Sequence, residues 1–448
     1  MKKSIIAVAL ILVVIAILPI AGNQYIKSSI DDRVAELQSY GLEVKEDKSV
    51  STYLNTSRHF EFYLKDSSKF IDYLNNYSEN QIPPYVNAII NGLVVGADIE
   101  YSNLPFAKSQ SVEIYPLRLA PEMEASLKKN SPDFYTYLEK FLKLKGILYH
   151  INYNLINSKF DGYIKDIDES YTLRNKAELN LVLNKVVFNG KGELLAPTRL
   201  ESKIKTFNLS VIEEHEQVNI FLNGFSSSSN FESQNTYISS ADINSLKLVM
   251  VGLNDDMNVS IGNMRFNASS NDQGKDTELS SKVSINSMNV NSGRLAFDLK
   301  EFNMDIALDG IDKKLFEELR TLNNPQEVQM KTAELLSKGF TLNIADFSTK
   351  DITLNKVEKL GGYDMKSNIV LKADPDMLQK IQQNPMLMVK FIDMKTNLKI
   401  SKKILTLLTQ ATPMASTIIS YAKEENNSYI FEMNFADSKA SINGKQLY

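Results

Sequence analysis

Apolar and polar residues alternate with a period of two from about residue 147 to residue 311, and this pattern constrains the fold more than any other feature. Stretches such as ELNLVLNKVVFNG (178–190) and QVNIFLNGF (217–225) follow it, as strands with one apolar face do. The segments between such stretches are rich in Asn, Gly, Ser and Asp, which favour turns. The pattern predicts a long antiparallel meander over residues 147–312 that buries only one face.

Helical spacing precedes the meander. Apolar residues recur every three or four positions over residues 23–40, which predicts an amphipathic helix. The next residues alternate with period two and predict a hairpin, and Ser67 or Ser68 is expected to cap the helix that follows it. A further helix is predicted over residues 121–145, with a kink at Pro132 because proline cannot donate the intrahelical hydrogen bond.

The C-terminal third supplies segments that are expected to cover the sheet. Residues 313–338, 376–391 and 404–422 have helical spacing, with strands predicted between them and a hairpin at the end. A one-faced sheet of many strands needs a cover or a curl. The predicted fold class is therefore α+β and strand-rich, with a long, curled antiparallel sheet and covering helices, preceded by one transmembrane helix. The expected domains are an anchor (1–22), an N-terminal α+β region (23–146), the meander (147–312) and a C-terminal α+β region that closes the sheet (313–448).

The N-terminus predicts a membrane anchor. Lys2 and Lys3 precede an uncharged stretch from Ser4 to Gly22, which as a helix is roughly 28 Å long and matches a hydrocarbon core of about 30 Å. Because a basic flank stays in the cytoplasm, the rest of the chain is expected to be exported. The side chains expected to contact lipid in this anchor include Ile5, Leu10, Val14 and Leu18.

A cleaved signal peptide is the alternative interpretation of this N-terminus. Cleavage after Ala21 or Gly22 would put Pro19 or Ile20 at position −3, where a small residue is required. We therefore predict that the anchor is retained. No second segment of the sequence is apolar for long enough to predict another span.

The composition excludes several classes of function. Cysteine is absent, which excludes disulfide frameworks, iron–sulfur clusters and thiol catalysis. The net charge of −4 argues against a nucleic-acid binder, which carries a basic face. The sequence has no nucleophile elbow, phosphate-binding glycine loop, HExxH or calcium-loop motif. We therefore expect no enzyme activity, no cofactor, no metal and no nucleic-acid partner.

Histidines, aromatic residues and sequons supply the remaining candidates. His59 and His150 fall in strand-like stretches, and His215 lies among glutamates, which predicts an exposed turn. Two Asn-x-Ser/Thr sequons, at Asn258 and Asn426, also have an acidic residue two positions earlier, as some bacterial glycosylation systems require. Aromatic side chains of the meander are either plain core or the lining of an apolar groove, and the groove candidates are Phe188, Phe221, Phe225, Phe297 and Phe302.

The closing segment resembles that of a known family. The stretches YIFEM (429–433), AD (436–437) and INGK (442–445), with Leu447, are similar to the end of the bacterial YdgA-like proteins, a family of unknown function. The basic start, single anchor, early helix and long strand array resemble that family over almost the whole chain. VSTYL (50–54) lacks the glycine that the family tends to carry near its first hairpin. The resemblance implies an inner-membrane anchor and a periplasmic body, and it brings no catalytic residues.

Three functions are consistent with these features. The first is a cell-envelope protein that binds lipid or another apolar component in a groove on the sheet, which in outline resembles AsmA-like lipid-handling proteins. The second is a non-catalytic periplasmic scaffold that docks other envelope proteins. The third and most remote is a hydrolase of envelope polymers, for which the sequence offers no catalytic set.

Overall fold

The chain is described by a computed structural model. It has two compact units, residues 1–214 and 215–448. Both units are built mainly from antiparallel strands with helices beside them, so the predicted strand-rich α+β class is confirmed. The structure describes residues 26–447 except 77–81, 84, 105–108, 174–175, 195, 234, 253–255, 294, 323, 356–357 and 412–413.

The first unit begins, in its described part, with a helix over residues 26–39, which we name α1. Its strands are β1 (Leu42–Ser51), β2 (Asn55–Leu64), β3 (Val94–Ser102), β4 (Ser109–Arg118), β5 (Tyr149–Asn154), β6 (Lys159–Ile164), β7 (Ile167–Thr172), β8 (Glu178–Gly192) and β9 (Pro197–Glu213). Its other helices are α2 (Ser67–Asn75), α3 (Tyr85–Ile90), α4 (Pro121–Asn130) and α5 (Pro132–Lys143). Strands β1 to β6 pair antiparallel in chain order, and β8 pairs with β6, β7 and β9.

Helix α1 and one face of strands β1 to β3 form a hydrophobic core of the first unit. Ile26 and Ile30 of α1 pack with Phe60, Phe62 and neighbouring side chains of β3. Every second residue of β2 from Thr56 to Leu64 is buried, as expected for a strand with one face against a helix. The amphipathic helix and the hairpin predicted for this region are therefore confirmed within the described residues.

An arginine fastens α1 to this sheet. The guanidinium of Arg58, on β2, donates two hydrogen bonds to the carboxylate of Asp47 on β1, at 2.9 and 2.8 Å. Its third nitrogen lies 2.6 Å from Asp31 on α1. Since the Arg58 side chain is only 7% exposed, this pairing satisfies a charge inside the core.

Two local predictions for the first unit need correction. The cap of α2 is Asp66, whose Oδ1 accepts from the Lys69 amide at 3.1 Å, and neither Ser67 nor Ser68 is the cap. The predicted kink at Pro132 is a complete break between α4 and α5. The reason is that Ser131, which precedes the proline, is forced out of the helical region, with φ −150° and ψ 65°.

The second unit is a meander of long strands followed by shorter ones. Its strands are β10 (Glu216–Phe231), β11 (Tyr237–Val251), β12 (Met257–Gln273), β13 (Asp276–Ser292), β14 (Leu295–Asp312), β15 (Phe340–Leu354), β16 (Glu358–Leu371), β17 (Ile392–Ser401), β18 (Lys423–Glu425), β19 (Ser428–Ala436), β20 (Lys439–Ile442) and β21 (Lys445–Gln446). Neighbours from β10 to β17 pair antiparallel in chain order, and β19 pairs with β17, β18 and β20. The strands predicted from period-two alternation are confirmed.

The helices of the second unit are α6 (Lys313–Thr321), α7 (Pro325–Lys338), α8 (Met377–Gln383), α9 (Lys402–Ala411) and α10 (Met414–Ile419), with a 3-10 helix over Pro385–Lys390. Helices α6 and α7 pack on β14, and α9 packs on β16 and β17. Leu405 of α9 joins Ile400, Phe431 and Ile442 in the core of this unit. The predicted covering helices therefore serve the C-terminal part of the sheet.

The predicted anchor, including Ile5, Leu10, Val14 and Leu18, lies outside the described residues. Across the part of the chain that the structure does describe, none of the helices has the length and apolar character that a membrane span requires.

Candidate functional site: an uncovered apolar sheet face

The register of strands β10 to β14 collects apolar side chains on one face of the second unit. Residues directly opposite each other in antiparallel strands share a face, and every second residue returns to it. The central row across the five strands is Leu222, Leu246, Ile261, Met288 and Leu299. The neighbouring row on the same face is Ile220, Leu248, Val259, Val290 and Phe297.

Each of these strands interrupts its alternation at the same row. The pairing skips one position there, and backbone φ is positive at Gly224 (68°), Asn263 (49°) and Glu301 (51°). Two consecutive polar or glycine residues occupy the interruption in each strand, so the next apolar residue returns to the apolar face. These pairs are Asn223-Gly224, Asn244-Ser245, Gly262-Asn263, Asn286-Ser287 and Lys300-Glu301.

Beyond the interruption the apolar face continues for two more rows. The first of these rows is Phe225, Ile243, Met264, Ile285 and Phe302. The second is Ser227, Ala241, Phe266, Val283 and Met304. The outermost row is Val218, Met250, Met257, Ser292 and Leu295. Across the five rows, only Ser227 and Ser292 interrupt an otherwise apolar surface.

The opposite face of the same strands is polar. A shallow cleft of about 440 Å³ runs along the interruption, and its lining combines polar residues such as Asp242, Asn263 and Arg265 with Ile243, Met264 and Ile285 of the apolar rows. Arg265 donates to Asp242 at 2.7 Å across this face. A Cβ on Gly224 would collide with the side chain of Asn244, so glycine leaves the room that this amide occupies.

The apolar face is uncovered over β10 to β13. Among the described residues of these four strands, the buried side chains are Ser270 and Thr277, and both are polar. The apolar side chains of the rows remain half-buried or exposed, with Val218, Met250 and Phe266 at 38%, 42% and 36% exposure. The C-terminal helices that are expected to cover the sheet pack on β14, β16 and β17.

The structure brings together only some of the predicted groove residues. Phe225, Phe297 and Phe302 lie in rows of the apolar face, and Phe302 meets Phe347 edge-on at 5.8 Å. Phe221 is directly opposite Lys247 and alternates with Ile220 and Leu222, so it lies on the polar face. The sequence alone does not show whether Phe221 or its neighbour Leu222 lies on the apolar face.

Phe188 belongs to the first unit and to a different cluster. Its ring stacks on Tyr149 with centroids 4.9 Å apart, and it lies 6.5 Å from the ring of Phe160. The ring of Phe188 packs over the backbone of Gly162, where a Cβ would collide with the ring. Phe188 is therefore a packing residue of the first unit.

The sequence prediction missed a row of charged residues on the first unit. His59, Asp98, Glu113 and His150 lie directly opposite each other on β2, β3, β4 and β5. Nδ1 of His59 is 2.6 Å from Oδ1 of Asp98. Lys145, in a left-handed conformation after α5, reaches Asp98 at 2.6 Å and Glu113 at 2.7 Å. Only the register of the four strands unites these residues, and no local motif could have indicated it.

Hydrogen bonds shift the pKa values of Asp98 and of its donors Tyr115 and Lys145. Burial opposes ionisation of Asp98, but bonds from Lys145, His59 and Tyr115 outweigh it and lower the pKa of the carboxyl group. Burial, with the hydrogen bond to Asp98, raises the pKa of Tyr115 to about 12. Although burial opposes it, the bonds to Asp98 and Glu113 also raise the pKa of Lys145. Asp98 is therefore an anion held by three donors.

The other predicted candidates are placed as follows. His215 is exposed at a turn, as predicted. Asn426 sits at the tip between β18 and β19 with φ 52°, and it is exposed. Asn258 lies within β12, paired with Val249 and Asn291 on its two sides. Of the two predicted glycosylation sites, only Asn426 lies in a turn.

No family model, curated protein or solved structure matches this chain. The resemblance to the YdgA-like family therefore remains a prediction from the sequence. The residues that carry it lie in β19, β20 and β21.

Proposed function

We propose that the protein is a cell-envelope protein that binds lipid acyl chains on the apolar face of β10 to β14. The observation that supports the proposal is the uncovered state of this face over β10 to β13, in a strand array whose apolar rows are continuous. Soluble proteins rarely leave such a face open unless it binds something.

The dimensions of the face suit an acyl chain. Five strands spaced about 4.8 Å apart are roughly 20 Å wide, and ten residues along a strand extend about 30 Å. The resulting area, about 600 Å², is at the upper limit of patches on monomeric proteins. One leaflet of acyl chains is about 15 Å thick, so a whole chain fits along the strands.

The composition of the face favours lipid over a protein partner. Its rows consist of Ile, Leu, Val, Met, Phe and Ala with two serines, and they contain no charged residue, tyrosine or arginine. Protein–protein hot spots are enriched in Tyr, Trp and Arg. A surface without hydrogen-bonding groups fits a hydrocarbon ligand, which offers none.

The proposal includes the location of the protein. The N-terminal segment from Ser4 to Gly22 would anchor the chain in the inner membrane, and the strand-rich units would lie in the periplasm, with a sheet that curls around its ligand. The basic flank at Lys2 and Lys3 supports this orientation. N-terminal sequencing should read from Met1, and a mature protein that begins near Asn23 would refute the retained anchor.

Photo-crosslinking in intact cells tests the lipid proposal with the full chain. A photoreactive phenylalanine at Ile261, in the central apolar row, should give lipid adducts that mass spectrometry identifies. The matched control is Ser260, the adjacent residue on the polar face, which should give none. Protein adducts at Ile261 would support the scaffold alternative instead, and equal lipid labelling at both positions would refute a specific face.

Acyl-chain length provides a quantitative test. Each methylene transferred from water to an apolar surface contributes about 0.8 kcal/mol, or roughly fourfold in affinity. The affinity for single-chain acyl probes should therefore rise about fourfold per methylene until the chain exceeds the face. Ile261→Asp should abolish this dependence and Ser260→Asp should preserve it. A length-independent affinity would show that the probes bind elsewhere.

A further inference from the structure

We propose that Glu46, His59 and Glu61 form a binding site for a divalent transition-metal ion, represented by Zn²⁺, on the polar face of the first unit. Each residue offers one ligand atom, and all three atoms lie within 4.8 Å of one another. Nε2 of His59 is 3.9 Å from a carboxylate oxygen of Glu61.

These separations are close to those of an occupied site. Two ligands that each lie about 2.1 Å from one tetrahedral Zn²⁺ ion are about 3.4 Å apart. The histidine–glutamate separation of 3.9 Å exceeds this value by about 0.5 Å. The wider separations, which are at most 4.8 Å, have to shorten by up to about 1.4 Å, which rotation of half-exposed glutamate side chains provides.

The strands explain why the three ligands meet. Glu46 is directly opposite Glu61, and His59 is the next residue of β2 on the same face. An irregularity in β1 between Val44 and Glu46 shifts the register by one residue. Without this bulge Lys45 would oppose Glu61, so the bulge is what brings a second carboxylate to the histidine.

A carboxylate outside the ligand set orients the histidine. Nδ1 of His59 lies 2.6 Å from Oδ1 of Asp98, and because a carboxylate oxygen accepts, the neutral imidazole donates from Nδ1. The lone pair of Nε2 then points toward the glutamates. Metal-binding histidines usually donate their second nitrogen to a carboxylate in this way. Asp98 is itself fixed by Tyr115 at 2.9 Å and Lys145 at 2.6 Å.

A lysine competes for the same carboxylate. Lys48 is directly opposite His59, and its ammonium group contacts Glu46. Its side chain is 73% exposed, so it can swing into solvent when an ion binds. Lys48 thus acts as the counter-charge of the metal-free site, and its removal should strengthen metal binding.

The donor set defines the class of ion. One imidazole and two carboxylates suit borderline first-row ions such as Zn²⁺ more than Mg²⁺ or Ca²⁺, which prefer oxygen ligands alone. Three protein ligands leave a fourth position open to water or a substrate group. The site therefore differs from a closed structural zinc site, which has four protein ligands.

Titration calorimetry of the full-length protein, purified without a histidine tag, tests the site with ZnCl₂. We expect one equivalent to bind, with a loss of at least 100-fold in His59→Gln and of 10- to 100-fold in Asp98→Asn. Lys48→Met should bind about fivefold more tightly. The matched control is Glu43→Gln, which removes a carboxylate paired with Lys45 on the same strand and should change nothing.

The Co²⁺-substituted protein supplies a second readout. A tetrahedral site gives intense visible absorption bands, which His59→Gln should abolish and Lys48→Met should retain. Equal zinc affinity of the wild type and His59→Gln would overturn the proposal, and so would unchanged affinity in Lys48→Met. The Lys48 variant keeps the test decisive even if His59→Gln unfolds, because Lys48 is exposed and contributes nothing to the core.

Discussion

Replacement of Arg58 with methionine should destabilise the first unit by about 3 kcal/mol. Arg58 forms two hydrogen bonds with Asp47 and an ion pair with Asp31, and its guanidinium also lies 4.5 Å above the ring of Phe60. Methionine keeps the apolar stem and its packing but removes the charge. The carboxylates of β1 and α1 then lose their shared partner.

The magnitude follows from the exposure of the three groups. Removal of one partner from a buried ion pair costs about 3–5 kcal/mol because the other charge stays buried. Here the arginine is 7% exposed, whereas Asp47 and Asp31 are 41% and 46% exposed, so both carboxylates recover hydration. We therefore expect the lower limit of the range, about 3 kcal/mol, which corresponds to roughly 6–12 °C in Tm for a unit of this size.

Thermal unfolding of the full-length protein, followed by circular dichroism, measures the effect. Amide hydrogen exchange in β2 assigns it to the first unit. The matched control is Arg199→Met, because Arg199 pairs with Glu201 on the surface and is 58% exposed, where a pair contributes at most about 1 kcal/mol. If Arg58→Met is no more destabilising than Arg199→Met, the idea that Arg58 fastens α1 to the sheet is wrong.

Three further outcomes follow from the same structure. Phe60→Ala should lower the free energy of unfolding by about 3–5 kcal/mol in urea titrations, because Phe60 is fully buried, whereas Phe266→Ala, at a 36% exposed site, should cost far less. The pKa of Tyr115 is raised to about 12 against about 10 in an unfolded chain, so its contribution to stability should be complete below pH 10 and lost as the pH rises toward 12; Tyr115→Phe should remove one late-titrating phenol from the 295 nm absorbance. In a host with the extended sequon requirement, mass spectrometry should find a glycan on Asn426 and none on Asn258, because the backbone of Asn258, although the residue is exposed, is paired with strands on both sides.

The sequence predicts those helices and strands whose burial pattern is visible within the segment itself. Period-two alternation predicts the strands of the meander and β2, because each strand carries its own burial pattern. Helix α1 follows from its apolar spacing in the same way. The cap of α2 was missed because Asp66, Ser67 and Ser68 can all cap a helix, and only the backbone geometry selects among them.

The candidate sites depend on register, which alternation alone does not determine. His59, Asp98 and Glu113 are far apart in the chain and meet only because their strands pair at particular offsets. The metal-ligand candidates also require a bulge in β1, and the formation of this bulge depends on how β1 pairs with β2 and not on the sequence of β1 alone. The sequence leaves open whether the apolar face is covered, because apolar strands and amphipathic helices are equally compatible with a packed core and with an open groove.

The polar pairs in β10 to β14 link the local pattern of each strand to the register between strands. A single residue with positive φ, such as Gly224, reverses the direction of the following side chains, and an unbroken alternation after it would put the apolar residues on the polar face. Two consecutive polar residues at that point cancel the reversal. Gly224, Asn263 and Glu301 recur in every second strand, so the pairs align only in the observed register. A strand shifted by two residues would set a polar pair against apolar neighbours. The interruption, which is costly at Asn263 and Glu301 because their φ is positive, therefore also selects the register that keeps the apolar face continuous.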